Sequence, residues 1–242
     1  MKRMKKAVAL LLTLLMLLSL SACGKSDIIG RWECKLDMTE DIINSADSIF
    51  SAYDALLSDG VQAPRMADYM DEFSLTYTMV FNEDGSYSAG VDEAQRQAAV
   101  DGLVEAVKEY MYQLFFVILA DSAKQMGLEQ QPSSREELEA MMGVSMNEAI
   151  SEVLGIDLET YIESMLGSAM NTYLSEGIAD SEGIYETRDG RLYLSKGLDG
   201  EIFDEVYDPY TVEGDTLTIT LGPEGMSSSL KNFYPLVLNR VG

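Results

Sequence analysis

The chain has 242 residues, 47% of them apolar, no histidine, and a formal charge of -24 at neutral pH. That apolar content excludes a disordered chain, and the length suits one elaborated domain or two small ones. The missing imidazole removes every Ser-His or Cys-His device and the commonest metal ligand. The negative charge excludes nucleic acid as a partner and favours cations or basic surfaces.

In chain order, a basic head (Lys2, Arg3, Lys5, Lys6) precedes an unbroken apolar run from Ala7 to Leu20, too short for a comfortable bilayer span and placed where an export signal has its core. Leu20-Ser21-Ala22-Cys23 closes that run and resembles the lipobox of bacterial lipoproteins. The resemblance implies cleavage after Ala22, diacylglycerol on the Cys23 sulfur and acylation of the new terminus. Two or more acyl chains make a durable anchor at the extracytoplasmic face of the cell membrane. Residues 1–22 are then a signal peptide, 23–29 a lipidated tether, and the mature formal charge falls from -24 to -28 with the four basic residues lost. With Cys23 consumed as a thioether, Cys34 has no disulfide partner and is expected as a small core residue.

Gly30 to Met38 reads as a strand, with Trp32, Cys34, Leu36 and Met38 on one face. A helix is expected over about 40–58, with a stripe of Ile42, Ala46, Ile49, Tyr53 and Leu56. Phe73, Leu75, Tyr77, Met79 and Phe81 alternate with small polar residues and mark a second strand. Asn82-Glu83-Asp84-Gly85 turns it into a third strand carrying Tyr87, Ala89 and Val91. The spacing of that acidic turn is a hairpin's and not a calcium loop's.

A long helix is expected from Asp92 to about Gln125, with Asp92 as cap and Gln95 returning the bond. Its second half, Met111 to Ala120, is nearly all apolar and needs cover on most sides. Ser134 with Glu137, Ser145 with Glu148, and Asp157 each open a further helix. The last carries a stripe of Leu158, Tyr161, Ile162, Met165, Leu166, Met170 and Tyr173. The methionines of this block (Met126, Met141, Met142, Met146, Met165, Met170) read as adaptable core or as an adaptable apolar groove.

Strands return at 183–187, 191–195, 209–213, 216–221 and 233–241, with Asp189-Gly190 and Gly214-Asp215 supplying turns. Pro235 in the last of them points to an edge, a bulge or a closing position. The fold class is therefore α+β: an eight-strand antiparallel barrel or strongly curled meander, 30–91 with 182–242, interrupted by a helical insertion over 92–181.

Gly30-Arg31-Trp32, Phe81 to Tyr87, Tyr210 to Leu217 and Leu236 to Val241, in that order, resemble the lipocalin-like domains of bacterial lipoproteins. The resemblance implies a barrel whose closed end holds Trp32 against Arg240, and a small apolar ligand. The long helical insertion departs from the pattern of that family. The interior or ligand-lining set expected here is Trp32, Phe73, Tyr77, Phe81, Tyr87 and Tyr210.

Carboxylates are the only catalytic set this composition supplies, and Glu201, Asp204 and Glu205 fall in a segment that is simply acidic. No nucleotide loop, zinc spacing or redox pair is present, so no cofactor and no metal are expected. The expectation is a membrane-anchored protein binding a small apolar ligand or peptide between barrel and helices. The alternative is a cell-surface interaction or assembly component with a solid core.

Overall fold

The computed structural model describes residues 27–127, 132–166, 178, 180–223 and 230–242. Eight antiparallel strands close into a barrel in sequence order: β1 Gly30–Asp37, β2 Ser74–Phe81, β3 Ser86–Val91, β4 Ser181–Arg188, β5 Arg191–Lys196, β6 Asp208–Glu213, β7 Thr216–Ile219 and β8 Leu236–Val241. Five helices occur among the described residues. α1 (Thr39–Phe50) lies between β1 and β2. α2 (Glu93–Gln125), α3 (Arg135–Met142), α4 (Met146–Leu154) and α5 (158–166) all lie between β3 and β4. This is the expected barrel with a helical insertion after its third strand.

By compactness the chain divides into two units. One holds the segment up to Cys34, Thr78–Gly90 and Asp180–Gly242; the other holds Lys35–Tyr77 and Val91–Ala179.

The first unit is built on alternation. Met79 and Phe81 of β2, Tyr87 and Ala89 of β3, Leu217 and Ile219 of β7, and Leu236 and Leu238 of β8 are all buried, and the residues between them are half-buried or exposed. Phe81 meets Tyr185 edge-on at 4.9 Å, and the Tyr185 hydroxyl donates to the Asn82 carbonyl at 2.9 Å. The Asp189-Gly190 turn has both residues at positive φ, 51° and 71°, the pairing that matches the twist of a two-residue hairpin.

β8 begins at Leu236 and pairs with both β7 and β1, so Pro235 lies before the strand and marks no edge. β7 likewise stops at Ile219, short of the expected Leu221, which is 40% exposed.

In the second unit, α1 buries Ala46 and Phe50, whereas Ile49 and Leu56 are 57% and 56% exposed. The expected stripe already fails at Ile49, inside the regular helix, where the buried face runs through Ala46 and Phe50. Beyond it the helix tightens to a 3-10 turn over Ser51–Leu56, and the change from 3.6 to 3.0 residues per turn takes Leu56 off that face.

Asp92 caps α2 by accepting from the Gln95 amide at 3.1 Å, but the return bond does not form. The Gln95 side chain instead accepts from the Thr76 backbone N–H at 2.7 Å and donates to its hydroxyl at 3.2 Å. α4 has the full reciprocal cap, with Glu148 N–H on the Ser145 hydroxyl at 3.2 Å and Ser145 N–H on the Glu148 carboxylate at 2.9 Å. Asp157 opens α5 by accepting from Thr160 N–H at 2.8 Å, and Leu158 and Ile162 are buried. The continuation of that stripe through Met170 and Tyr173 lies outside the described residues, as do the leader and Cys23.

Candidate functional site

One end of the barrel is built around the indole of Trp32, which is wholly buried. Its ring nitrogen donates to the Ile28 carbonyl at 2.7 Å. The seam between β1 and β8 sets Trp32 directly opposite Arg240, and facing residues of an antiparallel pair share a side of the sheet. The guanidinium therefore lies over the indole, 4.1 Å from the ring centroid. Its two terminal nitrogens donate to the carbonyls of Ile29 and Asp27, each at 2.7 Å. Gly30, at φ 128°, leaves the room this needs: a Cβ there would come within 2.9 Å of an Arg240 nitrogen.

Phe81 and Tyr87 of the expected interior set are buried in the same unit as Trp32. Phe73 and Tyr77 are buried in the other unit. Tyr210 is only half-buried, beside Ile219, its partner on β7. Cys34 is half-buried as well, short of the core position expected for it, and burial still pushes its thiol up to about 11.

The acidic segment offers no catalytic set. Glu201, Asp204 and Glu205 are all exposed, and Asp204 is held by Arg188 at 2.7 Å. Among the described residues no three acidic or cysteine side chains are grouped to hold a metal ion.

Two carboxylates the sequence did not single out are buried. Asp208 accepts from the Gly222 N–H at 2.7 Å and from the Tyr234 hydroxyl at 3.1 Å. Asp121 accepts from the Ser58 N–H and hydroxyl, both at 2.8 Å, and from Gln125 at 2.9 Å. These bonds, the Ser58 N–H first, hold its carboxyl below the usual carboxylate range. Both acids tie a loop to a regular element.

A concave site of another kind lies in the helical unit. Ile42, Ala46 and Ile49 of α1, Leu103 and Val107 of α2, and Met165 of α5 line a cleft of about 170 Å³. Leu103 and Val107 form its buried floor, and Ile49 stands exposed at the rim. The ring of Phe50 also lines it and meets that of Tyr110 at a tilt, centroids 4.9 Å apart.

Compared with known protein families, curated proteins and solved structures, the chain matches none.

Of the methionines expected to form an adaptable groove, Met165 lines the cleft, Met146 is fully buried, and Met126 and Met141 face solvent. The aliphatic residues of α1 and α2 form most of the wall. Their spacing in the sequence reads as core, and only the place where three helices leave a gap tells them apart from core.

Proposed function

We propose that this chain is an extracytoplasmic lipoprotein, held at the cell membrane through acylated Cys23, with a lipocalin-like barrel and a helical unit that binds a small apolar ligand. The leader and the Leu-Ser-Ala-Cys sequence support the anchoring. The observation that carries the binding role is the cleft of α1, α2 and α5, apolar on its walls and open past Ile49. Its volume of about 170 Å³ is below the roughly 300–1,000 Å³ of sites for drug-sized ligands, so it suits a short alkyl chain or one apolar side chain.

The test is competitive displacement of a fluorescent fatty-acid probe from the full chain by short and medium alkyl carboxylates. Ala46→Phe fills the cleft, and a thermal melt establishes that the variant is folded. Binding should vanish in the folded variant. Equal probe affinity in wild type and Ala46→Phe overturns the cleft as the site.

A second reading, a docking role at the cell surface, is favoured by exposed apolar residues around α3 and α4. Met141, Val144, Val153 and Ile156 are 45%, 43%, 72% and 43% exposed. Crosslinking in intact cells through these positions should capture one reproducible partner; capture of none sinks that reading.

A further inference from the structure

A second groove of the helical unit has polar chemistry. It has a volume of about 530 Å³ and is lined by Asp47, Phe50 and Asp54 at the end of α1 and in the 3-10 turn that follows, by the 61–65 loop, and by Tyr110 of α2. Asp47 spends one oxygen on the Met66 N–H at 3.0 Å. Neither Asp47 nor Asp54 has an ion-pair partner among the described residues.

The Tyr110 side chain is 2% exposed, yet its hydroxyl makes no hydrogen bond among the described residues, and both carboxylates act on it electrostatically. A tyrosine buried to this degree ordinarily finds a partner for its hydroxyl. Tyr110 lines the groove together with both carboxylates, so an N–H donor held there would find an acceptor in its hydroxyl as well as in theirs. The ring of Phe50, 4.9 Å from that of Tyr110, gives the same position an aromatic wall.

We propose that this groove binds a small organic ammonium ion, its N–H groups shared between Asp47, Asp54 and the Tyr110 hydroxyl and its body against Phe50. An organic cation fits better than a metal. Only two carboxylates are present, and Phe50, Tyr110, Val61 and Pro64 give part of the wall an apolar surface beside the polar Ser51 and Gln62, which suits a cation carrying an apolar body. Arg65 also lines the groove and is exposed; its charge opposes the ligand's.

Calorimetric titration of the full chain in a non-ionic detergent with benzylamine, and separately with benzyl alcohol, tests the proposal. Benzylamine should bind at one saturable site, about tenfold more tightly than the alcohol. Asp54→Asn removes no hydrogen bond of the fold and should weaken the amine several-fold. Asp47→Asn/Asp54→Asn should abolish saturable binding, Tyr110→Phe should weaken it, and Arg65→Gln should tighten it. Glu152→Gln/Glu159→Gln takes the same charge from elsewhere on the helical unit and should change nothing. Equal binding of amine and alcohol overturns the proposal. So does unchanged binding in Asp54→Asn, or an equal loss in the Glu152/Glu159 control.

Discussion

Arg240 covers Trp32 across the seam of the barrel, its guanidinium 4.1 Å from the ring centroid, and at the same time ties down the carbonyls of Ile29 and Asp27. One side chain thus closes the barrel end and fixes the segment that leads into β1.

Arg240→Met loses two charge-assisted hydrogen bonds and a cation–π contact and should cost about 2–4 kcal/mol. Arg240→Lys should recover little of this, because a single ammonium cannot bridge both carbonyls while lying over the ring. Trp32 is the only tryptophan in the chain, so its emission during urea unfolding reads this end of the barrel directly.

Two glycines should respond in opposite directions to alanine. A Cβ on Gly183 of β4 would run into the Ser195 carbonyl oxygen of the next strand, so Gly183→Ala forces the sheet apart and should lower the melting temperature sharply. Gly102 lies inside α2, where a Cβ meets nothing within 4 Å. Gly102→Ala should stabilise by about 0.5–1 kcal/mol, read as a rise in the urea midpoint.

Alkaline titration should single out Tyr110. Burial, with Asp47 and Asp54 adding to it, pushes its hydroxyl up to about 12. The folded value lies above the unfolded one, so this group's contribution to stability is intact below about pH 10 and is lost as pH rises toward the folded value. Of the 13 tyrosines, Tyr110 should be among the last to ionise by tyrosinate absorbance, and Tyr110→Phe should raise the pH of alkaline unfolding.

Thiol chemistry tests the lipid anchor and Cys34 together. With its thiol pushed up to about 11, Cys34 should react with a disulfide reagent near pH 8 on the order of a hundredfold more slowly than free cysteine. In denaturant, protein from its own host should show one thiol per chain if the Cys23 sulfur is a thioether. Two thiols per chain would overturn the modification.

The strands were legible because alternation over six to eight residues leaves few other conformations, and Leu75 to Phe81 needed nothing more. The pairing of Trp32 with Arg240 was legible only through resemblance, since no local pattern relates two residues at opposite ends of the chain. Faces were harder to read. Alternation puts Tyr193 opposite Leu192 and Leu194, on the solvent side, yet it is 4% exposed because Arg188 and Tyr207 lie over it at 4.2 and 5.7 Å. The helical stripe through Tyr53 and Leu56 assumed a constant 3.6-residue period, and the tightening at Ser51 has no sequence signal of its own. The cleft was illegible for a similar reason: a gap between helices depends on how their axes diverge, which no single helix encodes.

The barrel's closure also orders events in time. Arg240 reaches back 211 positions to Ile29, so a chain delivered amino end first must hold one edge of its opening strand unpaired until nearly the last residue has arrived. Throughout that interval the only indole lacks its Arg240 cover and one edge of β1 is free to pair with another chain. Once the seam forms, both termini leave the barrel side by side, with Arg31 facing Val241. A fusion at the carboxyl end would therefore sit beside the segment that enters β1. Reporter domains belong in a hairpin such as Gly214-Asp215.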